Sequence, residues 1–281
     1  MSRSEWIRVS KSKPCKICSR SDWCAVSANG KIAYCMRIES SKPCKSGGWI
    51  HKLDDCQLIS TVPKRMPKPI VRSEPSKDFF SLARQYQHNL TDLTVLSKDL
   101  GVSTESLKRL EVGWDGRNYT FPMRNGNDRI VGIRLRRNGS KYCVTGSKTA
   151  LFWPDGVVVD SKQPLWICEG ESDCAALLDL GFDAIGRPSC NSGINDIKTI
   201  LARYNRDVII MADKDKAVTR PDGPVYYPGI EGALRLAEVI KPIVRSVKCV
   251  LPAVGTDIRE WVQNGATREA VLAAANNART L

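Results

Sequence analysis

Residues 207–216, DVIIMADKDK, form an apolar run that ends in two carboxylates separated by one lysine. Val208, Ile209, Ile210 and Met211 read as a buried strand, because a short β-branched run bounded by charge suits a central parallel strand. Side chains two apart on an extended chain point the same way. A strand carried on to residue 215 would therefore aim Asp213 and Asp215 at one spot, where they repel unless something positive sits between them. Glu169, in ICEGESD, closes a second apolar run, PLWIC, and Asp257, in VGTDIREW, follows a third, VRSVKCVL. Carboxylates that converge from distant parts of a chain suit Mg²⁺ or Mn²⁺, hard ions that take oxygen ligands. Such ions support phosphoryl or nucleotidyl transfer by activating one oxygen and stabilising the one that leaves. The competing role for an acid at these places is capping. Glu171 and Asp173 stand near a helix start, where the first turn favours negative charge. Asp257 suits a helix N-cap as well as it suits a metal.

A second group of chemically capable residues lies near the N-terminus, in CKICSRSDWCAVSANGKIAYC. Cys15 and Cys18 have the C-x-x-C spacing of a metal knuckle, and Cys24 and Cys35 can complete a tetrahedral zinc site. A second C-x-x-C is missing, so Cys44 and His51 remain possible substitutes for Cys24 or Cys35. The segment has too few apolar residues for a core of its own, and zinc is expected to hold it folded. Trp23, Trp49 and Tyr34 around it could stack on unpaired bases, but packing on the few apolar side chains is the expected role. The remaining cysteines, 56, 143, 168, 174, 190 and 249, are scattered, mostly in apolar patterns, and read as small core residues.

The elements that must position these groups follow from periodicity. DFFSLARQY and STESLKRLEV space their apolar residues three and four apart, as helices do, with Ser103 or Thr104 as a cap. The period then falls to two in NYTFPMR, RIVGIRLRR and KYCVTG, separated by the turn signals NGND and NGS. These predict an antiparallel sheet carrying Arg134, Arg136 and Lys141. From residue 164 strand and helix patterns alternate: PLWIC, SDCAALLDL, DAIG, INDIKTILARY, DVIIMA, GIEGALRLAEVI, VRSVKCVL. That order predicts a parallel sheet, whose ligands bind at the carboxyl ends of its strands. The C-terminal ATREAVLAAANNARTL reads as an alanine-rich helix that either docks a partner or closes the last domain.

The chain has 281 residues, 42% of them hydrophobic, and a net charge of +13. The charge is uneven. Residues 1–78 carry +9 (16 Lys/Arg against 7 Asp/Glu), residues 79–163 carry +5 (13 against 8), and residues 164–281 carry −1 (14 against 15). A basic N-terminal half beside a balanced acidic-site half points to a polyanion such as nucleic acid. No apolar run approaches the roughly 20 residues that span a bilayer, and the N-terminus lacks a signal-peptide core. The expectation is a cytoplasmic protein without a membrane partner.

ICEGESDCAALL followed by IIMADKDKA resembles the Toprim domain of primases, topoisomerases and related nucleases. Preceded by a cysteine-rich ribbon and a basic sheet, it is similar to the primase core, above all the primase half of phage primase–helicase proteins. The resemblance extends over roughly residues 13–264. RLRRNGSKYCVTGSKTALFW looks like the basic strand and following stretch of that family, and VGTDIREW like its lysine-aspartate segment, with Thr256 in place of the lysine. The resemblance implies acid/base or metal-linked duty for Glu169, Mg²⁺ binding by Asp213 and Asp215, and less firmly by Asp257. It implies nucleotide or nascent-strand contacts for Arg134, Arg136, Lys141 and Lys148. The expected architecture is a zinc ribbon (1–55), a basic proline-rich linker (56–78), a basic antiparallel subdomain (79–163) and a Toprim α/β domain with C-terminal helices (164–281). The expected function is a DNA primase that makes short RNA primers on a single-stranded DNA template from ribonucleoside triphosphates. The alternatives are a Toprim nuclease or DNA-nicking enzyme, and a non-catalytic zinc-dependent nucleic-acid-binding module. No G-x-x-x-x-G-K-[ST] phosphate loop occurs in the chain, so a helicase would have to be a separate partner or lie in a longer protein.

Overall fold

The structure is a computed structural model that describes residues 6–44, 47–53, 77–157, 161–219 and 224–281. The linker expected at 56–78 lies, except for its last two residues, outside the described residues, as does Cys56. The chain divides into two compact units, Met1–Val71 and Arg72–Leu281.

The first unit is a four-stranded antiparallel sheet in the order β1 (Trp6–Arg8), β2 (Ala25–Ser27), β3 (Ile32–Cys35), β4 (Trp49–Lys52). Its interior is minimal. Cys15, Cys24 and Cys35 are its buried cluster, with only Val9, Ile17, Cys18 and Met36 packed around them. So small a core cannot hold a sheet together by burial alone.

The second unit opens with three helices, α1 (Phe79–Asn89), α2 (Thr94–Leu100) and α3 (Thr104–Arg109). Asp78 caps α1 by accepting from the amides of Phe80 and Ser81, and Ser103 caps α3 by accepting from the Ser106 amide. An antiparallel sheet follows in the order β5 (Gly113–Trp114), β6 (Tyr119–Arg124), β7 (Ile130–Arg137), β8 (Ser140–Cys143). The sequence pattern missed α2 and β5. The first is seven residues with only Leu96 and Leu100 buried, and the second is two residues long.

The parallel sheet has the order β10 (Asp183–Arg187), β9 (Leu165–Glu169), β11 (Asp207–Met211), β14 (Ser246–Val250). Its strands alternate with α4 (Glu171–Asp179), α5 (Ile194–Leu201) and α6 (Pro228–Ile240). Between β11 and α6 stands a small ribbon, β12 (Val218–Thr219) paired with β13 (Val225–Tyr226), which the sequence pattern did not suggest. After β14 come α7 (Ile258–Gln263) and α8 (Arg268–Asn277). Val271 and Ala275 of α8 are buried, and Lys248 of β14 donates to the carbonyls of Ala275 and Asn276. The C-terminal helix thus closes this unit. One core runs from Leu96 and Leu107 through Phe121, Phe152 and Ile167 to Leu236, so the two sheets share an interior. Single bridges, Arg124 to Leu151 and Phe152 to Gly186, connect them. That common core fixes the basic strands against the carboxyl ends of the parallel ones.

Candidate functional site

The acidic positions are set by where the parallel strands stop. Glu169 is the last residue of β9, and Gly170 turns the chain at φ +89° into α4, a conformation that a side chain would strain. β11 stops at Met211, earlier than expected. Beyond it, the Ala212 amide donates to Val250 O at 2.9 Å and the Lys214 amide to Thr256 O at 2.7 Å. The premise that Asp213 and Asp215 share a strand face therefore fails. Asp213 lines a cavity of about 400 Å³ together with Glu169, Glu171, Asp173, Asp257, Arg134, Arg136, Lys141 and Arg259. Asp215 is turned to the start of α6, where its Oδ2 accepts the Gly229 amide at 2.9 Å. It stays close enough to raise the pKa of both Glu169 and Asp213.

Sequence reading assigned Glu171 and Asp173 to helix capping. The structure corrects this. Both are buried in the first turn of α4 and line the cavity. Glu171 is wholly buried and meets Arg136 Nη1 at 3.0 Å and Lys141 Nζ at 2.9 Å. Burial alone would push its carboxyl up, but Lys141, a backbone amide and Arg136 hold it below the ordinary value. Asp173 has a weaker partner, Arg259 Nε at 4.0 Å, and burial with the nearby Asp257 and Asp213 pushes it well up. Asp257 is placed at the start of α7. It caps α7, accepting from the Glu260 amide at 2.6 Å, and it also lines the cavity.

In Asp213 and Glu169 the charged form is disfavoured. Burial is the main cause in each case. Asp213 is pushed up to about 8 by burial and then by Glu169, Asp215 and Asp257. Glu169 is raised by burial and by Asp215, with the Cys190 amide, Arg187 and Lys141 opposing.

The basic residues arrive from β7 and β8. Arg134 lies over the Phe152 ring, 5.5 Å from its centre, while Arg136 and Lys141 sit opposite one another in register. Arg259, on α7, was not singled out from sequence; two residues after a candidate cap, it reads as surface. Lys148 does not line the cavity. Its amide pairs with Val131 O and its side chain is exposed.

Five buried side-chain polar atoms have no hydrogen-bond partner among the described residues: Arg134 Nε, Arg136 Nε, Arg259 Nε, Glu171 Oε2 and Asp213 Oδ1. All five belong to residues that line this cavity. Native proteins leave few such groups, because each costs about 1–3 kcal/mol, more when charged. Three guanidinium donors thus face the cavity without an acceptor and Asp213 Oδ1 without a donor, whereas Glu171 Oε2 is the free oxygen of a carboxyl whose Oε1 already meets Arg136 and Lys141.

In the first unit, Cys15, Cys18, Cys24 and Cys35 bring their sulfurs within 4.8 Å of one another. Cys18 and Cys24 are 3.7 Å apart, and Cys24 and Cys35 4.0 Å. A tetrahedron with zinc–sulfur bonds of about 2.3 Å has sulfurs about 3.8 Å apart, so the four fit the ion. The amides of Arg37 and Ile38 point at Cys35 Sγ, at 3.5 and 3.4 Å. Cys44 and His51 stand outside the group. His51 Nε2 lies 2.9 Å from Ile38 O, and the Cys44 amide closes a turn onto Gly48 O. Trp23 departs from its expected packing role, being 69% exposed at φ +62°.

No protein-family model matches the chain, and no curated protein matches it in sequence. Solved structures do. The DnaG catalytic core matches with a TM-score of 0.55 at 19% identity, over 72% of this chain and 79% of that one. The Escherichia coli primase catalytic core gives 0.55 at 18%, over 72% and 80%. The zinc-binding and RNA polymerase domains of Aquifex aeolicus primase give 0.57 at 13%, over 73% and 60%. The chain has the fold of these primase cores, as the Toprim-like sequence pattern implied.

Proposed function

We propose that this chain, folded as a primase core, is a DNA primase: a nucleotidyltransferase that joins ribonucleotides on a single-stranded DNA template. The observation that carries the reading is the set of five unpartnered polar atoms in one cavity. A nucleoside triphosphate with a divalent cation would bring oxygens to the three guanidinium donors and positive charge to Asp213.

Asp213 and Asp215, with Glu169 beside them, would hold Mg²⁺ or Mn²⁺, and Asp257 lies close enough to assist. The fit rests on Asp213, whose buried Oδ1 has no donor and whose carboxyl is pushed up to about 8 without a cation. A divalent ion there supplies charge neutralisation and Lewis-acid polarisation of phosphoryl oxygens. Arg134, Arg136, Lys141 and Arg259 hold the triphosphate, arginine being suited to paired contacts with phosphate oxygens. Glu171 keeps Arg136 and Lys141 extended toward that place when no nucleotide is bound. The new bond joins the 3′-oxygen of one nucleotide to the α-phosphorus of the next. The α–β phosphoanhydride bond breaks, and pyrophosphate leaves.

The four cysteines would bind a structural Zn²⁺, which gives the first unit the stability that its core lacks. The exposed Trp23 and the basic charge of that unit suit an unpaired template strand. A structure of similar fold, the DnaG primase catalytic domain, is described as bound to single-stranded DNA. A replicative helicase is the partner that the resemblance suggests.

The test incubates the protein with random single-stranded DNA, labelled ribonucleotides and Mg²⁺. Short labelled oligoribonucleotides support the reading. Cleavage of the DNA instead would assign the same carboxylates to hydrolysis, and binding without turnover would leave a nucleic-acid-binding module.

A further inference from the structure

Arg187 is a guanidinium buried to 3% exposure at the carboxyl end of β10. Burying a permanent charge is costly unless it is paired and fully hydrogen-bonded. Its Nε donates to Ser192 O at 3.0 Å, its Nη1 to Gly232 O at 3.4 Å, and its Nη2 to Cys190 O. One planar group thus ties three carbonyls from two elements: the turn at 189–192 and the second turn of α6. Among the described residues no carboxylate reaches it at ion-pair distance.

What those two elements do gives the arrangement its meaning. Arg187 lies directly opposite Glu169 in the β9–β10 register. The turn that it grips carries the Cys190 amide, a hydrogen-bond donor to the Glu169 carboxylate. The helix that it grips carries the Gly229 amide, which holds Asp215 Oδ2. Helix and turn are also in backbone contact, since a Cβ at Gly232 would lie 2.5 Å from Cys190 O. A small cavity behind the carboxylates is lined by Glu169, Arg187, Cys190, Asp213 and Gly229.

We propose that Arg187 is a positioning residue, which sets Glu169 and Asp215 at their mutual spacing by clamping the 189–192 turn and α6 to the end of β10. It does not touch substrate. The inference rests on the metal reading of Glu169, Asp213 and Asp215, and it adds that the metal site is held from behind by one buried cation. Lysine keeps the charge but cannot span three carbonyls. Outer-sphere groups that orient metal ligands typically change metal affinity about 10–100-fold when removed.

The test measures Mn²⁺ binding by electron paramagnetic resonance on the zinc-loaded full chain, as wild type, Arg187→Lys and Arg187→Met. Turnover is followed against Mn²⁺ concentration. The proposal expects both variants to bind Mn²⁺ about tenfold more weakly, with turnover recovered at saturating Mn²⁺. Arg187→Lys carries the test should Arg187→Met not fold. Folded variants that bind Mn²⁺ as wild type does overturn it, and so does a lowered melting temperature with unchanged Mn²⁺ affinity, which marks a structural staple only. Wild type that binds no Mn²⁺ at all overturns the metal reading itself, a result distinct from either of these.

Discussion

Asp213 is the residue on which the electrostatics of the site converge. Burial pushes its pKa from the ordinary 3.8 up to about 8, so the folded chain keeps a proton that the unfolded chain gives up. The stability contributed is complete below about pH 4 and is lost as pH rises through about 8. A cation needs the carboxylate, so Mn²⁺ affinity should tighten from about pH 6 to pH 9 and level off beyond. Asp213→Asn should weaken binding and flatten that profile, as a titration series across this range would show. Glu171 gives a second expectation. Glu171→Gln leaves Arg136 and Lys141 facing a neutral group, which should cost about 2 kcal/mol by urea denaturation. That is below the usual value for a broken buried pair because Lys141 is about a third exposed. Asp213 was legible in the sequence because the apolar run VIIMA ended on it. Glu171, Asp173 and Arg259 were not, because charges in the first turn of a helix look alike whether they face solvent or a cavity. The available signal was position: α4 begins directly at the carboxyl end of β9, where ligands of parallel sheets bind.

The elements place these residues through backbone contacts more than through side chains. The start of α6 is the clearest case. A Cβ on Gly229 would meet Asp213 O at 2.6 Å and Asp213 Cβ at 3.0 Å, and neither can move without shifting the carboxylate loop. Gly229→Ala should cost about 1–3 kcal/mol in overpacking and lower Mn²⁺ affinity and turnover together. Circular dichroism should still report a folded protein. A variant with wild-type metal affinity would show that the loop is free to yield. Strand and helix identities were readable because alternating stretches and short apolar runs stood apart from the three- and four-residue spacing of the helices, from NYTFPMR through VRSVKCVL. The end of β11 was not. Nothing in ADKDK marks where strand pairing gives way to the bonds with Val250 and Thr256, and that ending separates Asp213 from Asp215. The β12–β13 ribbon, four paired residues, is too short to show a period.

At the scale of the whole molecule, the two units rest on different forces. The second has a continuous apolar core from α2 to α8, whereas the first has three buried cysteines and few apolar neighbours. Chelation of zinc should unfold the first unit and leave the helical signal of the second in place. The change should be visible as loss of amide hydrogen-exchange protection in β2, β3 and β4, and retention of that protection after complete zinc release would contradict it. The sequence carried the uneven charge and the set Cys15, Cys18, Cys24 and Cys35; it left Cys44 and His51 open as substitutes, and the pairing of β2, β3 and β4 leaves both outside the group. The central claim is that this fold joins nucleotides at the Asp213 cavity. The most direct measurement is formation of the first phosphodiester bond: two ribonucleoside triphosphates, a single-stranded template and saturating Mg²⁺, with the dinucleotide and pyrophosphate quantified for wild type and Asp213→Asn. The account predicts a 5′-triphosphate dinucleotide with equimolar pyrophosphate from wild type, and a loss of at least about 100-fold in the variant, as for other groups that stabilise transition-state charge. Equal yields from both proteins, or cut template with no dinucleotide, would contradict it.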